Sequence, residues 1–470
     1  MERLKLIGKV KPKHSSEVKS SKLGIGFEKL DRNVFDPEKA YDKVAETGVK
    51  WIRLQSGWAR TEKEKGIYDF SWLDSVVDNL LKRGLVPWIC LCYGNSLYDE
   101  EAAKVFGAVG CPPIHTDEQK TAWKNYVEAL VEHFRGRITY YEVWNEPDGP
   151  WCWKHGVNAK ELGEFTLETA KYIKATEPSC KVVGGVICLR NLYYINTALA
   201  TGMWKYIDAI SFHEYTPFDE YVPERVESLR ALAHLYNPEI EIIQGESGSQ
   251  SRSDGAGALK GGAWTEKRQA KQLLRHAVMD IISDVKFTSY FSCMDMIEAL
   301  NGTVGDVSSY LDYGYFGILR AEFDENGFSS GEYTPKMSYT ALQTISSMLS
   351  DDYKIVEMPI LFTQQNYSPR TFSVEPSRSD FITVGFEKPN GSRAFVYWYK
   401  ADLMTTDYEG TVSMQVCGLG SDIKLVDMMD GSIYELRDDM IEDLGDGCYR
   451  INHLPTKDYP MALIFGDFFI

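Results

Sequence analysis

No stretch of this 470-residue sequence approaches the roughly 18 to 20 apolar residues that carry a helix across a membrane. Positive charge is in short supply. Lys and Arg number 51 against 68 Asp and Glu, a formal net charge of −17, which argues against nucleic acid or an anionic membrane as a partner. Cysteine is sparse: nine residues, scattered, odd in number and without a CxxC pair, so no disulfide framework can be read from spacing. Cys90, Cys92 and Cys152 read instead as reduced structural thiols. The first 20 residues are basic (Lys5, Lys9, Lys11, Lys13, Lys19), but no apolar h-region follows, so no secretory signal is seen and a cytoplasmic address is expected.

Several chemistries are missing their signatures. The eight histidines form no HExxH and none is read as a ligand beside a cysteine, so no catalytic metal is expected. There is no GKS or GKT phosphate loop, and Gly24-Ile25-Gly26 lacks the third glycine of a dinucleotide site, so no cofactor is expected. Gly245-Glu246-Ser247-Gly248 is not the GxSxG elbow of a serine hydrolase, because position 249 is serine. Triplets of the N-glycosylation type stand at Asn301, Asn366 and Asn390 and weigh little without a signal.

Apolar residues at 44% and charged residues at 25% are ordinary for a globular protein, and the length exceeds what one core usually holds. The 11 Trp and 28 Tyr supply flat apolar faces of the kind sugar rings stack on, although most such rings serve as core. A homo-oligomer is compatible with this composition.

From Leu23 the chain alternates between two hydrophobic periods. Strands are predicted at Leu23 to Phe27, Trp51 to Leu54, Val86 to Cys92, Ile138 to Val143, Lys181 to Val186, Ala209 to Phe212, Glu241 to Gly245 and Phe287 to Phe291. Helices are predicted between and after them. Pro37 to Thr47 is closed by Gly48, and a helix capped by Ser71 runs to Arg83 before Gly84. Thr116 and Gln119 form a capping box for a helix ending near Arg135. Later helices cover Lys160 to Ala175, Tyr193 to Thr201, Glu224 to Leu235, Thr265 to Ser283 and Pro335 to Leu349. Eight strand–helix units predict an α/β fold, a (β/α)8 TIM barrel over 21–350. After Asp351, short alternating runs separated by Asn390-Gly391 and Asp430-Gly431 predict an antiparallel β-sandwich over 351–470. The N-terminal 1–20, with Leu4 to Val10 as a strand, is expected to join that sandwich.

Two carboxylic acids stand at predicted strand ends. Glu146 follows the fourth strand in Trp144-Asn145-Glu146-Pro147, and Glu246 follows the seventh. Glycosidic bond cleavage needs such a pair, one group to protonate the leaving oxygen and one to act at the anomeric carbon. Trp144, Pro147 and Trp151 can supply an apolar setting for Glu146, and Arg53 a cation for Glu246. Glu214 competes with Glu246 as nucleophile, but strand alternation turns it away from His213. Glu28, Tyr93 and Asn95 lie at other strand ends as candidate sugar ligands. Trp151 and Trp153 are candidate stacking platforms or core residues.

Here the sequence resembles the clan A glycoside hydrolases, most closely family 39 and its β-xylosidase-like members. The resembling residues are Glu142-Val143-Trp144-Asn145-Glu146-Pro147, Ser211-Phe212-His213-Glu214-Tyr215, Gly245-Glu246, and the run from Lys65 to Asp74. The resemblance implies Glu146 as general acid/base and Glu246 as nucleophile. It further implies Asn145 as ligand of the sugar 2-hydroxyl, and Tyr215 or His213 as the group orienting the nucleophile. Clan members usually carry a tryptophan at the end of strand eight, and Phe291-Ser292-Cys293-Met294-Asp295 offers none. The implied activity is a retaining β-glycosidase acting on terminal xylose, glucose or galactose of a carbohydrate substrate. An endo-acting β-glycanase and a silent sugar-binding protein on the same scaffold are the alternatives.

Overall fold

The structure, a computed structural model, describes residues 4–103, 109–298, 312–363, 380–420 and 422–469. Eight parallel strands close into a barrel: β1 (Gly24–Gly26), β2 (Trp51–Gln55), β3 (Val86–Leu91), β4 (Tyr140–Val143), β5 (Lys181–Ile187), β6 (Ala209–Glu214), β7 (Glu241–Ser247) and β8 (Thr288–Tyr290). Closure runs through Ile25 of β1 beside Tyr290 of β8. All eight predicted strands are present, each within a few residues of its expected ends.

The barrel is filled from the bottom by apolar rings. Trp88, Tyr140, Val183, Ala209, Ile243 and Phe287 form a cluster against which Trp51 packs, its ring stacked 4.1 Å from that of Phe287. Above this plug the interior turns polar, and the Arg53 guanidinium lies 5.7 Å from the Trp88 ring centroid. An apolar plug below a charged layer sends every polar strand-end group toward one face.

The helices follow their end signals with two corrections. Pro37 to Thr47 is not one helix but a 3-10 turn, Pro37–Lys39, followed by a short helix, Tyr41–Ala45. Asp117–His133 begins at the expected capping box, with the Gln119 N–H donating to Thr116 Oγ1 at 3.1 Å and Gln119 Oε1 accepting from the Thr116 N–H. Ser71 does not cap Ser71–Lys82: Phe70 holds the cap position, and it is the Asp69 carboxylate that accepts the Ser71 N–H at 3.0 Å. A carboxylate two residues earlier reaches the exposed N–H better than the serine that carries it. Gly84 ends this helix at φ +77°, and a Cβ there would lie 2.6 Å from the Ser16 Cα.

Two antiparallel sheets form the second layer. The larger runs, in spatial order, Lys5–Lys9, Ser432–Glu435, Ile423–Asp427, Met461–Phe465, Arg393–Tyr399, Phe381–Glu387 and Lys354–Val356. The smaller runs Ile360–Thr363, Glu409–Cys417, Cys448–Lys457 and Ile441–Gly445. Cys417 and Cys448 face each other in register in the smaller sheet and are joined by a disulfide. Spacing gave no sign of this pair: the two lie 31 residues apart, and only strand register brings them together. Cys90, Cys92 and Cys152 are buried thiols. Asn390 sits in a turn with its side chain bonded to Ser392 and to the Asp467 carbonyl, whereas Asn301 and Asn366 lie outside the described residues. No described helix is long and apolar enough to cross a membrane.

Candidate active site

β4 ends at Val143, and the backbone then enters the left-handed region at Trp144 (φ 67°) and Glu146 (φ 42°). Two non-glycine residues in that region cost energy that packing must offset, a pattern that gathers at functional sites. Trp144 is anchored below by its indole N–H on the Cys152 carbonyl at 2.9 Å and by surrounding rings of Trp123, Trp153 and Phe165. The turn lifts the Glu146 side chain into a cavity of about 950 Å³ at the C-terminal end of the barrel.

β6 and β7 bring the other groups alongside. Their register pairs His213 with Glu246. His213 Nδ1 lies 2.9 Å from Glu146 Oε1 and 3.9 Å from Glu246 Oε2, and one donor-capable atom of each of the three residues falls within 4.8 Å of the others. The Trp151 indole donates to Glu146 Oε2 at 2.6 Å. Glu246 accepts on both oxygens, from Arg53 Nη1 at 2.7 Å and from the Tyr215 hydroxyl. The same Glu246 oxygen that faces His213 is held by the Arg53 cation, which opposes a metal ion at this point.

Arg53, at the middle of β2, organises the floor. Its guanidinium also donates to Glu142 Oε2 through two nitrogens at 2.9 and 2.6 Å, to Asn145 Oδ1 at 2.8 Å, and reaches Glu28 Oε1 at 3.5 Å. Burial works against its charge, but the carboxylates, led by Glu142, outweigh burial and hold its pKa well above the usual arginine value. Glu28 meets the opposite balance. Burial, against the pull of Arg53 and with the push of Glu246, raises its pKa to about 8, so at neutral pH it is an acid able to donate a hydrogen bond into the cavity it lines. For Glu146 burial favours the neutral form, yet the hydrogen bonds from His213 and Trp151 and the charge of Arg53 hold its carboxyl below the usual glutamate range.

Gly245 is required by the same packing. A Cβ there would lie 2.0 Å from Ser211 Oγ, 3.0 Å from Glu142 Oε1 and 3.2 Å from His213 Nε2. Any side chain would force the β6–β7 pairing apart under the two glutamates.

With this geometry in view, relatives can be placed. The family described as "Glycosyl hydrolases family 39" matches residues 37–236. A Beta-xylosidase from Geobacillus stearothermophilus is 28% identical over 161 residues, 32% of this chain and 31% of the relative. Over these residues the chain is similar to family 39 of the glycoside hydrolases. Beta-galactosidase BgaA from Clostridium cellulovorans is 26% identical over 149 residues, 28% of this chain and 22% of the relative. A family 39 glycoside hydrolase from the gut symbiont Bacteroides cellulosilyticus WH2 superposes with a TM-score of 0.65 at 16% identity, covering 94% of this chain and 80% of that one. The matched stretch spans less than a third of the length of these curated relatives.

In this family 39-like chain the structure gathers Glu28, Arg53, Tyr93, Asn145, Glu146, Trp151, His213, Tyr215 and Glu246 at one place. Tyr93 lines the cavity and its hydroxyl accepts from Gln55 Nε2 at 3.0 Å, while His213 lies just beneath, fully buried. Two candidates stay away. Asn95 is buried and turned from the cavity, its amide donating to the Glu62 carbonyl at 2.9 Å and its oxygen accepting the Leu97 N–H at 2.9 Å, so it shapes a turn. Trp153 is 1% exposed, packed on Trp144 and Phe165, and is core. Glu214 reaches the cavity wall but is claimed by Arg190 at 2.9 Å and by Arg225, which removes it from competition with Glu246.

Other members were missed. Glu142 is a charged residue inside a wholly buried strand, and that contrast was the available signal. Where the resemblance implied a strand-eight tryptophan, Phe291 and Phe316 line the cavity with ring centroids 5.3 Å apart. Phe316 arrives from the insertion after β8, for which no periodicity gave notice.

Proposed function

We propose that this protein is a retaining exo-β-glycosidase that removes a terminal xylose, glucose or galactose unit by double displacement. The observation that carries the reading is the pair of carboxyls, Glu146 and Glu246, whose oxygens approach within 4.8 Å across one cavity. That favours the arrangement with about 5 to 5.5 Å between carboxyls, used for direct nucleophilic attack, over the wider one that admits a water. Glu246 attacks the anomeric carbon, held in line by Arg53 and Tyr215. Glu146 protonates the leaving oxygen and then takes a proton from water as the glycosyl–enzyme ester is cleaved.

Glu146 must hold a proton to begin, and its resting surroundings oppose this. Arrival of the aglycone oxygen at Oε2 displaces the Trp151 indole, removes one of the two hydrogen bonds that stabilise the anion, and restores an acid. Asn145 and neutral Glu28 face the sugar ring, and Phe291 with Phe316 forms its apolar wall. A cavity of about 950 Å³ suits a terminal sugar and its aglycone. The beta-xylosidase and beta-galactosidase names of the relatives support the same substrate class.

The test is a screen of aryl α- and β-glycosides with Glu246→Ala alongside wild type. Turnover of one β-glycoside, lost in Glu246→Ala and restored by azide as a product of inverted configuration, is expected. Activity on α-glycosides alone, or azide rescue through Glu214→Ala in place of Glu246→Ala, would overturn the reading.

A further inference from the structure

A second cluster of ligand-type side chains lies beside the cavity, built from the two loops that follow β3 and β4. The Lys154 N–H donates to the Gly110 carbonyl at 3.1 Å, and this bond sets the next residues of each loop, Cys111 and His155, against one another. Cys111 Sγ, a carboxylate oxygen of Asp99 and a ring nitrogen of His155 all fall within 4.8 Å of each other. His115 completes the group: its ring stands edge-on to that of His155 with centroids 4.5 Å apart, and both Asp99 and His155 act on it electrostatically.

We infer that Asp99, Cys111, His115 and His155 form a structural zinc-class site that clamps these two loops together. The donor set is one thiolate, two imidazoles and one carboxylate, the mixture that a borderline-soft dication such as Zn²⁺ takes in tetrahedral sites. Two anionic and two neutral ligands leave the bound dication electrically balanced. The proton of the Cys111 thiol, and any on the imidazoles, passes to solvent as the metal–ligand bonds form. Cys111 and His115 stand four residues apart in Cys111-Pro112-Pro113-Ile114-His115, a spacing at which a rigid turn can present two ligands to one ion.

The ligands are held from outside. The His115 N–H is tied to Gln119 Oε1 at 2.9 Å, at the start of Asp117–His133. Asp99 receives the Glu101 N–H on Oδ1 at 3.0 Å, which fixes its carboxylate in this turn. The turn that carries Asp99 starts at Asn95, whose carbonyl accepts the Asp99 N–H at 3.1 Å, so Asn95 acts here and not on sugar. Cys111 is buried, Asp99 half-buried and His155 exposed, so an ion can enter from solvent and end against sulfur. Bonds of about 2.0 to 2.3 Å in a tetrahedron require the Asp99, Cys111 and His155 donors to draw closer and the His115 ring to swing in, a movement of two surface loops. The β4 loop also carries Trp151, so the clamp steadies the indole that meets Glu146. The inference stands apart from the glycosidase reading and does not need it.

Titration of the metal-free full chain with Co²⁺ tests it. One equivalent is expected to develop the thiolate-to-cobalt charge-transfer band, and Zn²⁺ to displace it. Cys111→Ser is expected to abolish the band, and His155→Ala to weaken Co²⁺ binding by more than about tenfold, with unchanged circular dichroism. Absence of the band in wild type, or its persistence in Cys111→Ser, overturns the site. Should Cys111→Ser fail to fold, His155→Ala and Asp99→Asn decide through affinity alone. Wild-type affinity in both overturns the site, and a loss in either supports it.

Discussion

Among the buried charge networks of the described residues, one surrounds Arg53 inside the barrel and another surrounds Arg275 between barrel and sandwich. Both centre on an arginine with less than 2% exposure that faces several acids. Arg275 donates to the Glu220 carboxylate at 2.7 and 2.6 Å and to the Ala401 carbonyl at 2.9 Å, and the Trp398 indole closes on Glu220 at 3.0 Å. Asp219 takes His276 Nδ1 and Gln272 Nε2, each at 2.8 Å. That network crosses from helix Glu266–Ile282 to the sandwich strand Arg393–Tyr399, and none of its residues lines the cavity at the barrel mouth. The Arg53 network opens onto that cavity, and Glu28, Asn145, Glu146 and Glu246 all line it. Burial and charge therefore do not mark function. Access does: one network joins two layers, and the other turns its acids toward a space a substrate can fill.

The sharpest way to break this comparison is catalytic. Glu246→Ala is expected to lower kcat on a β-glycoside by about 10⁴-fold or more with the fold retained, whereas Glu220→Gln in the other network leaves kcat within about twofold. Steady-state kinetics with circular dichroism reads both. A comparable kcat loss in Glu220→Gln would erase the distinction.

Removing the arginines comes next. Arg53→Met and Arg275→Met each strand buried acids without a cation, and each is expected to cost on the order of 3–5 kcal/mol in urea unfolding. Only Arg53→Met should also impair turnover in the fraction that stays folded. Equal stability loss with equal activity loss would show that the two networks are energetically one.

Smaller effects follow from protonation. Burial opposes the charge of His276, but Asp280 and Asp219 outweigh it and push its pKa up to about 9. A raised folded-state value means a contribution fully present below the unfolded value of 6.5 and lost as pH rises through about 9. Unfolding free energy should fall by on the order of 3 kcal/mol across that window, and His276→Gln should flatten the fall. In the Arg53 network the readout is the rate. Trp151→Phe deletes a hydrogen bond that lowers the Glu146 pKa, so the alkaline limb of kcat/KM should move to higher pH. A limb that stays in place would separate Trp151 from the acid/base step.

Much of this was legible in the order of residues. The barrel strands were readable because period-two and helical runs alternate regularly and end in glycine, proline or capping residues. Glu146 was readable because an asparagine, an acid and a proline end an apolar run. Glu142 was not, since a motif is read outward from its most exposed residue and this acid points into the barrel beneath Arg53. Arg190 and Arg225, which neutralise Glu214, lie on separate elements 24 and 11 residues from it, at no fixed spacing. Cys417 and Cys448 needed strand register, and Cys111 and His155 needed two loops to touch.

What the amino-acid order alone determined, then, is the local and periodic part: eight strand–helix units, the second layer of short strands, and two acids placed at strand ends. Those depend on propensity and hydrophobic period, which act over a few neighbouring residues. Only the tertiary structure decided how the acids are charged and what they touch. Closing the barrel sets Arg53 among Glu28, Glu142 and Glu246, makes Glu28 neutral, lowers Glu146 and fits glycine at position 245. Electrostatic energy depends on distance and burial through space, and neither is a property of sequence separation.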